Sequence, residues 1–269
     1  MPSVRLKNIS MYYEVYGDGE PLVLIQGLSL DSSAWVHQIS AFSQKYRVVV
    51  FDNRGVGRSD SPNISYSTEM MADDTVELLK FLNIKNTHIL GFSMGGMIAQ
   101  QIALKFPEIV KSLTLVTTAA KFPARARYLT KLWLKMVEEQ VSAETRLQDI
   151  CLWVFTEEFF ADETRVTAAV NLGLNHSHPQ PNQGFAGQVA ALLQHDTRDR
   201  INQISVPTLV LIGKEEIFIP LRFSEELAAN IPNAELVILE RGGHNCCIEL
   251  PEPFNQAIMQ FLAKVTASR

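Results

Sequence analysis

The sequence predicts an α/β protein: a mostly parallel central sheet flanked by helices, with a helical cap inserted late in the chain. Three observations predict it. Short runs rich in Val, Ile and Leu alternate with helix-periodic stretches, the pattern of parallel strands covered on both faces. The pentapeptide Gly91-Phe92-Ser93-Met94-Gly95 stands between one such run and one such stretch. Residues 122–200 carry no strand-like run and offer several helical patterns instead, far more chain than one crossover needs.

Taken in order, Met11 to Tyr16 reads as an early antiparallel strand ended by the turn Gly17-Asp18-Gly19. Leu22–Gln26, Val48–Phe51, Thr87–Leu90, Ser112–Thr117, Thr208–Ile212 and Glu235–Leu239 read as buried parallel strands, each short, apolar and bounded by Gly, Pro or polar residues. Between them, Glu69 to Leu82 has helical spacing at Val76, Leu79 and Leu82, with Thr68 as its N-cap. The helix from Gly96 to Phe106 stops where Pro107 forbids continuation, and a last helix runs from Pro253 to Leu262. Helical patterns at Arg125–Gln140, Ala143–Phe155, Glu163–Asn175 and Phe185–Gln194 fill the insertion. The expected division is a core of residues 1–121 and 201–269 and a cap of residues 122–200, with no repeat or linker that would separate a second domain.

Composition excludes several functions. The chain has 269 residues, 46% of them hydrophobic and 20% charged, with a net charge of −5. That balance suits a globular protein and leaves no electrostatic footprint for nucleic acid or anionic lipid. No apolar run is long enough to span a bilayer, and Arg5, Lys7 and Asn8 interrupt any apolar leader. The cytoplasm is the expected location. Three cysteines, Cys151, Cys246 and Cys247, make neither a disulfide framework nor metal spacing. No dinucleotide or phosphate-cradling loop is present, because Gly55-Val56-Gly57 lacks its third glycine and helix start. Neither a cofactor nor a metal is expected.

The pentapeptide is a nucleophile elbow. Ser93 sits on a tight strand-to-helix turn whose flanking glycines let strand and helix approach without a Cβ collision. Its base is expected at His244, in Arg241-Gly-Gly-His-Asn-Cys-Cys, on a loop leaving the carboxyl end of the last strand. An imidazole there can accept the serine proton near neutral pH and return it to the leaving group. His88 falls inside a strand, and His37, His176, His178 and His195 fall in early helices or the cap, where structural or substrate-facing roles suit them better. The orienting acid lies in Gly213-Lys-Glu-Glu-Ile-Phe-Ile-Pro220. The chain order serine, acid, histidine admits either Glu215 or Glu216. The oxyanion of a tetrahedral intermediate needs two donors: the backbone N–H of Met94, after the nucleophile, and that of Leu28, in Gln26-Gly27-Leu28-Ser29, where Gly27 permits the turn. The aromatics of residues 122–200 imply a substrate that is partly apolar.

These motifs together resemble the α/β-hydrolase superfamily over residues 20–262. The resemblance is carried by Gly91-Phe-Ser-Met-Gly-Gly96, Trp35, Phe51-Asp-Asn-Arg-Gly-Val-Gly-Arg-Ser-Asp60, Val206-Pro-Thr-Leu-Val-Leu-Ile-Gly213, and Gly243-His244 with Glu249, Pro251 and Phe254. The wording around Asp52 and Ser93 is similar to the branch holding 3-oxoadipate enol-lactonases, small carboxylesterases and cofactor-free haloperoxidases. The resemblance implies an α/β-hydrolase fold and selects the acid: the family's Gly-x-x-Asp-x-x-x-Pro aligns with Gly213 and Pro220 and puts Glu216 in the aspartate's place. Where the family carries His-Gly before the oxyanion donor, this chain has Gln26-Gly27. The expected activity is cleavage of a small or medium carboxylic ester or lactone through an acyl-enzyme. Hydrolysis of carbon–carbon bonds in ring-cleavage products, and a hydrolase-like receptor for small molecules, are the rival readings.

Overall fold

The computed structural model describes residues 2–267. Eight strands form one sheet in the order β1-β2-β4-β3-β5-β6-β7-β8: β1 (Ser3–Arg5), β2 (Ser10–Tyr16), β3 (Glu20–Ile25), β4 (Tyr46–Phe51), β5 (Thr87–Phe92), β6 (Val110–Val116), β7 (Thr208–Gly213) and β8 (Ala234–Leu239). β1 and β2 join antiparallel, and every pairing from β4 through β8 is parallel. All six parallel strands expected from the sequence are present. β1 is an addition that three residues are too few to signal.

Both faces of the sheet are covered because alternate side chains of each strand point to opposite faces. Val23, Ile25, Val49, Phe51, Leu113, Leu115 and Val210 enter one apolar cluster. It is built with α2 (Thr68–Phe81) and α3 (Met94–Lys105). Leu22, Leu24, Val48, Val50, Val116, Leu209 and Leu211 enter the other. There they meet α1 (Val36–Phe42) and α11 (Pro251–Ala267). Continuously apolar strands are the sequence trace of this two-sided burial.

The cap of α2 differs from the expectation. Ser67, not Thr68, is the N-cap: its extended backbone lets the hydroxyl accept from Met70 N–H, while Thr68 is already helical and turns its Oγ1 to His195 Nδ1 at 3.0 Å. Among the described residues five α-helices lie between β6 and β7: α4 (Ala124–Glu138), α5 (Ala143–Val154), α6 (Glu157–Phe160), α7 (Glu163–Leu174) and α8 (Asn182–Gln194). α9 (Arg222–Asn230) and α10 (Cys246–Glu249) complete the set. The insertion therefore falls within the proposed cap of residues 122–200. Of the proposed core, residues 1 and 268–269 lie outside the described residues. Among the described residues no helix is long and apolar enough to cross a membrane.

Candidate active site

Ser93 occupies the turn from β5 into α3 with φ 54° and ψ −115°, a left-handed backbone that a residue with a Cβ adopts only under tertiary constraint. The flanking glycines explain how it is held. A Cβ on Gly91 would lie 2.3 Å from Gly95 O, and one on Gly95 would lie 2.0 Å from Ile25 O. Backbone thus packs on backbone around the serine. Gly96 is equally committed, since its Cβ would meet the Thr118 side chain at 2.6 Å. Ser93 N–H donates to Val116 O at 2.9 Å, and Thr118 Oγ1 donates to Ser93 O at 2.8 Å.

His244 follows β8 on a loop whose Gly242 has φ 94°. The same loop is pressed so close to β7 that a Cβ on Gly213 would meet Gly242 O at 2.0 Å. This contact brings the imidazole beside both of its partners. Nε2 lies 2.9 Å from Ser93 Oγ, and Nδ1 lies 2.6 Å from Glu216 Oε2. A carboxylate only accepts, so Nδ1 carries the proton and Nε2 is left to accept from the serine hydroxyl. Glu216 Oε1 accepts from Phe218 N–H at 2.5 Å and Ile219 N–H at 2.9 Å. Glu215 is exposed and makes no bond to the histidine. All three side chains are buried, and the imidazole is flanked by Phe92 and Phe218 with ring centroids at 5.1 Å and 5.0 Å.

The loop after β3 runs alongside. A Cβ on Gly27 would stand 3.1 Å from Ser93 Cβ and 3.1 Å from the Phe92 ring. Gly27 is therefore favoured by close approach rather than by its φ, since any side chain there would press on Ser93 and Phe92. The residue in the left-handed region is Ser29, at φ 66°. Neither Leu28 N–H nor Met94 N–H donates to a protein acceptor among the described residues.

Several supporting groups had no role assigned from the sequence. Phe218 carries the edge-on contact to His244 and stacks on Trp133 of α4 at 5.5 Å. Glu249 ties the histidine loop to the insertion, accepting from Thr156 Oγ1 at 2.7 Å and Gly243 N–H at 3.3 Å, and Asn245 N–H donates to Val154 O at 2.9 Å. Burial pushes the Glu249 carboxyl above its usual range, against the lowering effect of those bonds. Cys246 and Cys247 are buried thiols beside this loop; burial pushes Cys247 up to about 12 and Cys246 well above its ordinary value, which keeps both protonated. His88 bonds Ser112 Oγ at 2.7 Å inside the sheet, and His195 is buried against Thr68. Among the described residues no His, Cys, Asp and Glu group has the arrangement to hold a metal ion. A cleft of about 430 Å³ opens beside the acid loop, lined in part by Phe122, Phe218, Arg125 and Arg222. None of the three facing side chains lines it, although Phe218, which does, packs on His244.

Comparison with known proteins agrees with this architecture. The model of the alpha/beta hydrolase fold family matches residues 20–251. A protein of Stutzerimonas stutzeri, whose name RutD assigns it provisionally to carbamate hydrolysis, is 32% identical over 261 residues, covering 94% of this chain and 97% of its own. The enol-lactonase of Burkholderia xenovorans superposes with a TM-score of 0.86 at 25% identity, over 97% of this chain and 100% of that one. A thermophilic esterase of Thermogutta terrifontis, solved with malate bound, superposes with a TM-score of 0.88 at 26% identity, over 98% and 99%. With the family model spanning most of its length and the nucleophile elbow in place, this chain belongs to the alpha/beta hydrolase fold family.

Proposed function

We propose that the chain is a serine hydrolase that cleaves a small or medium, partly apolar carboxylic ester or lactone through an acyl-enzyme. The observation that carries the proposal is the continuous relay Ser93 Oγ, His244, Glu216, with contacts of 2.9 Å and 2.6 Å and every member buried. Ser93 Oγ attacks the carbonyl carbon as its proton passes to His244 Nε2. Glu216 holds the tautomer and stabilises the imidazolium. The oxyanion is received by the N–H groups of Leu28 and Met94, donors set in place before charge develops. As the intermediate collapses, the imidazolium protonates the departing alkoxide, leaving Ser93 acylated. Water, deprotonated by the same imidazole, then releases the acid. No step calls for a metal or a cofactor.

The enol-lactonase and esterase neighbours support the substrate class. The RutD-named relative favours a second reading, carbamate hydrolysis, which uses the same acyl transfer on a carbonyl flanked by nitrogen. The test is turnover of a panel of p-nitrophenyl esters, lactones and carbamates, with fluorophosphonate labelling of Ser93. Esters and lactones should be turned over, and Ser93→Ala should lower kcat by roughly 10⁴–10⁶-fold and abolish labelling. Turnover confined to carbamates would favour the second reading. Labelling without multiple turnover on any substrate would identify a hydrolase-like receptor instead.

A further inference from the structure

Gln188 is a polar residue inside the apolar run Phe185 to Leu193. It is fully buried, and it reaches the loop beside Ser93 from the insertion. Its Oε1 accepts from Ser29 N–H at 3.0 Å and its Nε2 donates to Arg54 O at 2.9 Å. Gln180, on the connection before α8, adds a second hold: Ser29 Oγ donates to its Oε1 at 2.6 Å, and its Nε2 donates to Gly55 O and Gln188 Oε1 at 2.9 Å and 3.0 Å. Nearby, His176 Nε2 lies 3.3 Å from Asp31 Oδ2. Three side chains of the inserted segment thus close over residues 29–31.

The seat of α8 is equally specific. A Cβ on Gly184 would lie 2.2 Å from Gly55 O, and one on Gly187 would lie 2.5 Å from the Tyr66 ring. These glycines let the helix approach until Gln188 spans the gap. Its far anchor is firm as well, since Arg54 is held by a buried two-point pair with Asp74 at 2.5 Å and 2.7 Å.

Ser29 needs such a hold. Its φ of 66° is a conformation that costs a residue with a Cβ free energy, so the loop relaxes if its bonds are removed. The peptide that Gln188 holds adjoins the Gly27–Leu28 peptide, which carries the Leu28 N–H, and Gly27 packs so close that its Cβ would stand 3.1 Å from Ser93 Cβ. Among the described residues the Leu28 N–H has no protein acceptor. From the core side, Asn53 Nδ2, bonded to Gln26 O at 3.1 Å, and the Gln26 side chain, accepting from Gly27 N–H at 3.2 Å, secure Gln26 and Gly27.

We propose that Gln188, seconded by Gln180, is a positioning residue for the reaction: the seat of the inserted helix α8 aims the Leu28 N–H at the oxyanion, so the packing of the cap and the geometry of the oxyanion site are set by the same bonds. This rests on the serine-hydrolase reading for its chemistry. It assigns the insertion a part in transition-state binding in addition to enclosing substrate.

The experiment compares wild type with Gln188→Leu and Gln180→Leu on p-nitrophenyl butyrate, reading kcat and KM separately. It also measures inhibition by a trifluoromethyl ketone, whose adduct with Ser93 is an oxyanion, and the rate of fluorophosphonate labelling. Gln188→Leu should lower kcat about 10- to 100-fold, a partial loss of one oxyanion donor, with KM little changed and ketone binding weakened in the same proportion. Gln180→Leu, on a partly exposed connection, should do the same to a smaller degree and keeps the test decisive if the buried substitution fails to fold. Unchanged kcat in the folded variants, or a loss of kcat that leaves ketone binding intact, would overturn the proposal. If wild type turns over no ester, the hydrolase reading fails by itself, and the ratio of labelling rates between wild type and variants still decides whether Gln188 sets the loop.

Discussion

Glu216 divides its two oxygens between two tasks. Oε2 faces the imidazole, and Oε1 takes the amides of Phe218 and Ile219, so the carboxylate cannot rotate without losing several bonds together. The longer glutamate side chain is accommodated where the family's wording has aspartate because its own loop folds back over it. Glu216→Gln should lower kcat by about 10³–10⁴-fold, because an amide holds the wrong tautomer of the imidazole, while the melting temperature moves little. Glu215→Gln, at an exposed position, should leave kcat unchanged. The opposite pattern in steady-state kinetics would transfer the orienting role to Glu215. The facing side chains were legible in the sequence because each lies in a short motif with a steric reason behind it: paired glycines at Ser93, a glycine pair before His244, and the Gly213 to Pro220 frame around Glu216. Phe218, Gln180 and Gln188 were not, because a phenylalanine or a glutamine in a helical or loop stretch has many uses, and only the fold brings Phe218 to His244 and the two glutamines to Ser29. For Gln188 one signal was available: a single polar side chain on the apolar stripe of an otherwise buried helix.

At the scale of elements, the turn between β5 and α3 is governed by backbone contacts, and substitutions there should act accordingly. A methyl group on Gly95 meets Ile25 O at 2.0 Å and Gln26 O at 2.8 Å, none of which can move aside alone. Gly95→Ala should lose about 1–3 kcal/mol of stability in denaturant titration, and it should displace the loop of residues 26–29 as well. Gly173→Ala in α7 is the contrast: its methyl meets only the ends of Leu147 at 2.9 Å, a side chain that can shift, and alanine favours the helix by up to about 1 kcal/mol. Comparable losses in the two variants would refute the steric account. Element legibility followed length and periodicity. The parallel strands and long helices announced themselves through continuous or amphipathic apolar runs. The short elements β1 and α6 hold too few residues to establish a period, and α9 was passed over because its apolar positions are few, with Ser224 and Leu227 its buried residues. The shift of the α2 cap from Thr68 to Ser67 arose because two adjacent hydroxyl residues compete for one position, and only the backbone decides between them.

At the scale of the molecule, one buried histidine links stability to pH. His195 lies between the end of α8 and the start of α2, bonded through Nδ1 to Thr68, with no hydrogen-bond partner for Nε2 among the described residues. Burial drives its pKa from an ordinary 6.5 down to about 3, with Asp196 opposing and Arg200 assisting. The folded state therefore holds the ring neutral, and the unfolded chain takes up a proton below pH 6.5. The contribution is complete above that value and is lost as pH falls toward 3, so going from pH 7 to pH 5 should cost roughly 2 kcal/mol from this group. Chemical denaturation at both pH values should show the slope, and His195→Asn should flatten it. An unaltered slope in that variant would assign the acid sensitivity elsewhere. A second consequence concerns the insertion. It grips the histidine loop through Val154 and Thr156 and the opposite loop through Gln180 and Gln188, so it is stitched to both flanks of the serine. Chimeras made by exchanging this segment with that of a relative, cut at the ends of β6 and β7, would sever those stitches. A graft designed to transfer specificity must carry compatible residues at 29 and 249 as well, or it will transplant a roof without the joists beneath it.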